Sequence, residues 1–310
     1  SGTGAGNLDL TATGNSSVTG DLALANTTNT WTVNPGLTMD VSGVISGTSA
    51  AITKNGTGTL TLSGANSYTG ETFVNAGTLT VTNSSALGGS GAGTTVASGA
   101  TLRLENGVNI ASEALTLSGT LFGATNPSSV EYGGAITLGG DASISAGGSN
   151  TITISGTIDG GGNQLTLTNG SPTITISGAV SNASLVKSGA GTAILSGTNT
   201  YAGLTTVSDG TLALNGAADN SRIAGDANTA TFDITIAGGT LRNDANEQIA
   251  NDASITMSSG AYSLNGTTET IDAFTNSGGT FTTGTGTLIG LGNTITWSGG
   301  TNTINDGGTV

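Results

Sequence analysis

The feature that most constrains this chain is an internal repeat without a single gap. Residues 54–81 read KNGTGTLTLSGANSYTGETFVNAGTLTV and residues 187–214 read KSGAGTAILSGTNTYAGLTTVSDGTLAL, an offset of 133. Lys54 and Lys187 are the only lysines in the chain, and both fall at the first position of the block. A fixed internal period is the signature of repeat architectures, in which each unit buries its apolar face only against its neighbours. The likeness extends beyond the block with small indels: Val41-Ser42-Gly43 matches Ile176-Ser177-Gly178, and Gly99 to Arg103 matches Gly239 to Arg242 less one residue. Ile110-Ala111-Ser112-Glu113-Ala114 then matches Ile249-Ala250-Asn251-Asp252-Ala253. The expected organisation is one continuous domain over 1–310. Its super-repeats span approximately 41–175 and 176–310, with 1–40 as additional N-terminal coils.

Within the long repeat runs a rhythm of period two. Thr59-Leu60-Thr61-Leu62 and Thr151-Ile152-Thr153-Ile154 alternate polar and apolar residues, as strands with one buried face do. Similar pairs recur at irregular spacing, among them Leu79/Val81, Leu102/Leu104, Leu115/Leu117 and Leu165/Leu167. Glycine is 54 of 310 residues, which in a chain without such alternation would point to disorder. Charged residues make up only 8%, however, whereas disordered chains carry many. Thr, Ser, Asn, Gly, Val and Ile favour strands and turns over helix interiors. The fold expected is all-β: a single right-handed parallel β-helix, or β-solenoid. It has about 15 coils at roughly 20 residues each, and no capping domain is evident. Inward Leu, Ile and Val stack on like residues, outward Thr faces water, and Gly and Asn take the corners. Gly77, Gly99, Gly210 and Gly239 each precede a strand and are expected at such corners.

The shared pattern Lys-x-Gly-x-Gly-Thr-x-x-Leu-Ser-Gly-x-Asn-x-Tyr-x-Gly resembles the autotransporter-associated β-strand repeat, also called the passenger-associated transport repeat, of bacterial surface and secreted proteins. In the first block it places Lys54, Gly58, Leu62, Gly64, Asn66, Tyr68, Gly70 and, further on, Gly77. In the second it places Lys187, Gly191, Leu195, Gly197, Asn199, Tyr201, Gly203 and Gly210. The resemblance implies a parallel β-helix and export to the cell surface. The chain departs from the pattern at Ala193, a small residue where the first block has Leu60. No run of barrel strands follows before Val310, so the chain reads as a passenger piece or as a relative without a translocator. An extracellular or cell-surface location, after loss of a signal peptide, is expected.

Composition narrows the chemistry. Lys+Arg 5 against Asp+Glu 19 gives a net charge of −14, which disfavours nucleic acid and anionic lipid as partners. No apolar run is long enough to span a membrane as a helix. The chain has no His and no Cys, removing the commonest general base, nucleophile pair and soft-metal ligands. The best enzymatic candidates are Asp219, Asp226, Asp233, Asp244, Glu247 and Asp252 with Arg222 and Arg242 nearby, yet solvated loop charges explain them more simply. No cofactor is expected. Calcium suits the acidic and carbonyl oxygens, and Ile158-Asp159-Gly160-Gly161-Gly162-Asn163 has the look of a Gly/Asp calcium turn, although a glycine-rich corner accounts for it. Exposed Trp31, Trp297, Tyr68 or Tyr201 would stack on surface glycans; the repeat positions of the two tyrosines make them corner plugs instead. The lysines read as solvated or loop-bonding. Strand-like residues close to both ends lack a polar cap, so the partner expected is a second copy, in a head-to-tail homopolymer, or adjoining segments of a longer passenger. A structural fibre or matrix element leads, an adhesin stalk comes second, and a polysaccharide-active enzyme third.

Overall fold

The structure, a computed structural model, describes residues 7–25, 27–124, 128–149, 151–217, 233–291 and 295–303. No helix occurs among them, and every strand pairing within each unit is parallel. The chain divides into two compact units, Ser1–Thr157 and Ile158–Val310. Each is a parallel β-solenoid, and together they contain about 13 turns, near the number expected from length.

In the first unit a strand column runs through Thr38–Val41, Thr59–Leu62, Thr78–Val81, Thr101–Leu104 and Thr120–Gly123. Thr59 pairs with Thr78 and Thr78 with Thr101, so one turn consumes 19 to 23 residues. A second column holds Thr28–Val33, Ala51–Asn55, Thr72–Val74, Thr94–Val96 and Leu115–Leu117. The period-two alternation is what permits this. Leu60, Leu79, Leu102 and Leu121 share one register line and Val41, Leu62, Val81 and Leu104 another, all fully buried. Each such side chain contributes about 1.5–3 kcal/mol on leaving water. Parallel pairing puts like on like, because every turn repeats the same residue positions.

The second unit follows the same plan. Ile174–Ile176, Thr192–Leu195 and Thr211–Leu214 form one column, Gln164–Asn169, Ser184–Ser188 and Thr205–Val207 another. Ala193 lies in register between Ile174 and Leu212 and is fully buried, the smaller core residue its sequence position announces. Further along, the core turns aromatic: Tyr262, Phe274 and Phe281 are buried with ring centroids 5.2–5.7 Å apart. Two expectations need correction. Threonine is not always outward, since Thr72, Thr94 and Thr205 point into the core. Gly77, Gly99 and Gly210 do sit at positive φ, but Gly239 does not; its neighbour Gly238 makes that corner.

Candidate functional site

The repeat block builds the same buried polar clamp in each unit. Lys54 ends the inward row of Ala51–Asn55, in register with Trp31 on one side and Val74 on the other. It is 0% exposed. Its ammonium donates to the carbonyl oxygens of Asn55 at 3.0 Å, Gly56 at 2.7 Å and Ala76 at 3.0 Å. Lys187 is equally buried and donates to Ser188 at 2.8 Å, Gly189 at 2.6 Å and Asp209 at 3.3 Å. Three donors meet three acceptors, and one acceptor in each set belongs to the following turn. The lysines therefore bond loops, and they are not solvated. Burial pulls both amines down to about 8, while the carbonyls supply the partners that a buried cation needs.

Glycine makes room for this geometry. Gly56 and Gly189 both adopt φ of 75°, which turns their carbonyls towards the ammonium. A Cβ at Gly58, Gly64, Gly70, Gly191, Gly197 or Gly203 would fall 2.2–2.4 Å from atoms of a neighbouring turn. Those positions are glycine because turns pack against them closely, whatever their backbone angle.

Next along the block, Asn66 accepts from Ile45 N–H at 2.8 Å and donates to Ala86 O at 2.6 Å. Asn199 accepts from Val180 N–H at 3.1 Å, but its Nδ2 has no partner among the described residues. Tyr68 and Tyr201 are buried plugs: the Tyr68 hydroxyl bonds Thr72 Oγ1 at 2.7 Å, and Thr205 Oγ1 donates to the Tyr201 hydroxyl at 3.2 Å. Burial raises both phenols well above their ordinary pKa. Leu62 and Leu195 complete the inward row.

A family model, Passenger-associated-transport-repeat, matches residues 52–81 and 185–214. The chain carries two passenger-associated transport repeats. No curated protein and no solved structure matches it significantly. The two matched segments coincide with the two buried clamps, so in this chain a passenger-associated transport repeat is a lysine and an asparagine tying adjacent turns together and a tyrosine plugging the corner beside them. Repeats of this kind imply a secreted or cell-surface protein.

Outside the passenger-associated transport repeats, the acidic candidates are dispersed. Asp233 is buried and accepts from Ser254 N–H at 2.8 Å. Asp244 chelates Arg242 with two bonds of 2.7 Å. Glu247 accepts from Thr270 Oγ1 at 2.9 Å, and Asp252 is exposed. Asp219, Arg222 and Asp226 lie outside the described residues. Among the described residues no three metal-ligating side chains come together. The Gly/Asp turn is held by its own backbone and by the following turn: Asp159 Oδ1 accepts from Asn182 Nδ2 at 3.0 Å and from Gly161 N–H at 3.1 Å, bonds that hold its carboxyl below the usual range. Beside it lies an open groove of about 560 Å³ lined by Asp159, Gly161, Asn182, Ser184, Thr200 and Ala202, among others. Trp31 is buried and donates to Leu8 O at 3.0 Å, which removes it as a sugar platform. Trp297 is 38% exposed and packs edge-on against Phe274 at 5.3 Å.

Two buried carboxyl groups escape a reading of the sequence by motif. Glu113 is buried, accepting from Thr94 Oγ1 at 3.0 Å, while Tyr132 donates to its backbone oxygen. Glu269 is fully buried within Thr268–Ile271. The latter had a signal: Glu269 and Ile271 stand two apart in an alternating strand, so the acid occupies an inward position.

Proposed function

We propose that the chain is a structural element of a secreted or cell-surface passenger, and that copies associate end to end into a fibre or matrix. The observation that supports the first part is the use made of the reactive groups. Both lysines, Tyr68, Tyr201, Tyr132 and Glu113 bond to other turns or to their own corner, inside the core, where no substrate reaches them. A catalytic site needs such groups converging on an open cleft. The second part draws on Ile289 in Thr287–Gly290, Leu291 just after it and Trp297 in Ile295–Trp297, which are 42%, 60% and 38% exposed; among the described residues each of these two strands pairs on one side, with Thr268–Ile271 and Ala273–Asn276 respectively. An apolar strand edge of this kind accepts a further strand.

Sedimentation velocity across a concentration series, with negative-stain imaging, tests the association. Growth with concentration that Leu291→Asp abolishes supports it; a single small species at every concentration removes the fibre. In a second reading the groove beside Asp159 receives a surface glycan, as an adhesin stalk would require. Binding to a glycan array that Asp159→Ala abolishes would favour that reading.

A further inference from the structure

The inward acid of the second unit is fully buried, with no cation beside it among the described residues and a second carboxylate, Glu247, close by. Glu269 reaches from Thr268–Ile271 into the preceding turn, where its Oε1 accepts from Ile249 N–H at 3.1 Å and Oε2 from Gln248 N–H at 2.8 Å. Oε2 also lies 2.5 Å from the Asn243 side-chain amide. That spacing is too short for N–H···O and falls at the short end of the range for O–H···O. Two further polar atoms are buried in the same place without a hydrogen bond of ordinary geometry, Asn243 Oδ1 and the Tyr262 hydroxyl, and the Asn243 side chain faces that hydroxyl as well as the acid. Rotating the Asn243 amide by half a turn puts Oδ1 opposite Oε2 and leaves Nδ2 on the side formerly held by Oδ1. A proton on Oε2 then donates to Oδ1. A carboxylate buried without a cation is disfavoured against its neutral acid, which gives the proton its driving force.

We propose that Glu269 is held as the neutral acid in neutral medium, its proton shared with Asn243 Oδ1, and that losing this proton in alkaline medium loosens the turn it ties. The charge environment agrees. Burial, assisted by the neighbouring Glu247 carboxylate, pushes Glu269 up to about 8 against the opposing pull of the two backbone N–H groups and the Asn243 amide. The other titratable group facing it is Tyr262, itself raised well above its ordinary value by burial and by the two glutamates; Thr287–Gly290, the paired strand on the far side, carries none. The site also holds the aromatic core, since Tyr262 packs against Phe274 and Phe281, and both of these touch Trp297. Gln248 extends the tie another turn back by accepting from Gly216 N–H at 2.7 Å.

The sign follows from linkage. With a folded pKa above the unfolded value, the folded state holds the proton more tightly. The stabilisation is complete below about 4.5 and is lost as pH rises to about 8. Over pH 5–8 the folding equilibrium constant falls on the order of a hundredfold or more from this group. Carbon-detected NMR of the glutamate carboxyls in the full chain, together with amide exchange at Gln248 and Ile249, tests the proposal. One glutamate resonance, absent from Glu269→Gln, is expected to titrate near pH 8, and protection of the two amides is expected to fall with it. Glu269→Gln keeps a donor for Asn243 and an acceptor for Ile249 N–H, although its Nε2 cannot accept from Gln248 N–H; protection at Ile249 is expected not to change with pH in this variant. A Glu269 resonance titrating in the ordinary carboxylate range, or the same alkaline loss of protection in Glu269→Gln, would overturn it. Should the variant fail to fold, assignment of the wild-type resonance through its own backbone still gives the answer.

Discussion

At the scale of single residues, a buried lysine is an unusual choice for tying two turns together. A backbone donor could serve one carbonyl; the ammonium serves three, including one on the following turn. Lys54→Met would fill the same space but leave the carbonyls of Asn55, Gly56 and Ala76 unpaired. A loss of about 2–3 kcal/mol is expected, read as a lower urea midpoint with unchanged slope. Because Lys54 and Lys187 are the only lysines and both are fully buried, brief treatment of the native chain with an amine acylating reagent should modify neither. Peptide mapping by mass spectrometry would show acylation at both positions only after denaturation. The super-repeat also preserves a surface detail: Arg103 pairs with Glu105, and Arg242 with Asp244 two residues on. Such half-exposed pairs add little stability. Repetition of sequence does not guarantee repetition of role, since Glu113 is buried while its counterpart Asp252 is exposed.

At the scale of the strand and its corner, glycine acts in two separable ways. Gly77 has φ of 67° and a Cβ there would meet Gly58 O at 2.5 Å, whereas Gly99 has φ of 77° with nothing within 4 Å. Gly99→Ala is expected to cost about 1 kcal/mol from backbone strain alone. Gly77→Ala adds a backbone collision, and its cost should exceed that of Gly99→Ala by about 2 kcal/mol or more. Parallel urea titrations of the two variants decide this; equal midpoints would show that the turns give way. The alternation Thr-Leu-Thr-Leu made the strands legible, because period two can only bury one face. It could not reveal which neighbours the strands would take. Thr72, Thr94 and Thr205 stand two residues before the buried Val74, Val96 and Val207 and lie inside with them, where a tyrosine hydroxyl or a glutamate bonds each one.

At the scale of the whole molecule, the notable imbalance is in the acids that are buried without a cation. Burial raises Glu113 in the first unit and Glu269 in the second. Both bind a proton more tightly folded than unfolded, so each contributes stability at low pH that is lost as pH rises. The two lysines stay protonated in both states below about 8 and do not offset this. The urea midpoint is therefore expected to fall from pH 5 to pH 8, the reverse of a protein stabilised by carboxylate ion pairs. Glu113→Gln together with Glu269→Gln should flatten the profile. A midpoint that rises over that interval would show that these carboxyls are ionised in the core. The −14 net charge acts in the same direction, since acid medium relieves self-repulsion.

The sequence by itself determined the class of fold and the repeat positions, because both are written as periods. Alternation of two sets which face is buried, whereas the irregular spacing of the strand pairs left the 19 to 23 residues of a turn to the register of stacked strands. The gapless block of 28 sets which residues must occupy equivalent places. Tertiary structure alone decided what those residues do. Lys54 and Lys187 carry a charge that sequence reasoning assigns to solvent or a loop, and only the approach of the next turn's carbonyl shows that they are buried and satisfied. Glu269 carries no motif at all; its role depends on Asn243, Gln248 and Tyr262, which lie 7 to 26 residues away along the chain and meet it only when turns stack. Periodicity is a local property that any stretch of chain displays on its own. The state of a proton depends on everything packed around it, and that exists only in the fold.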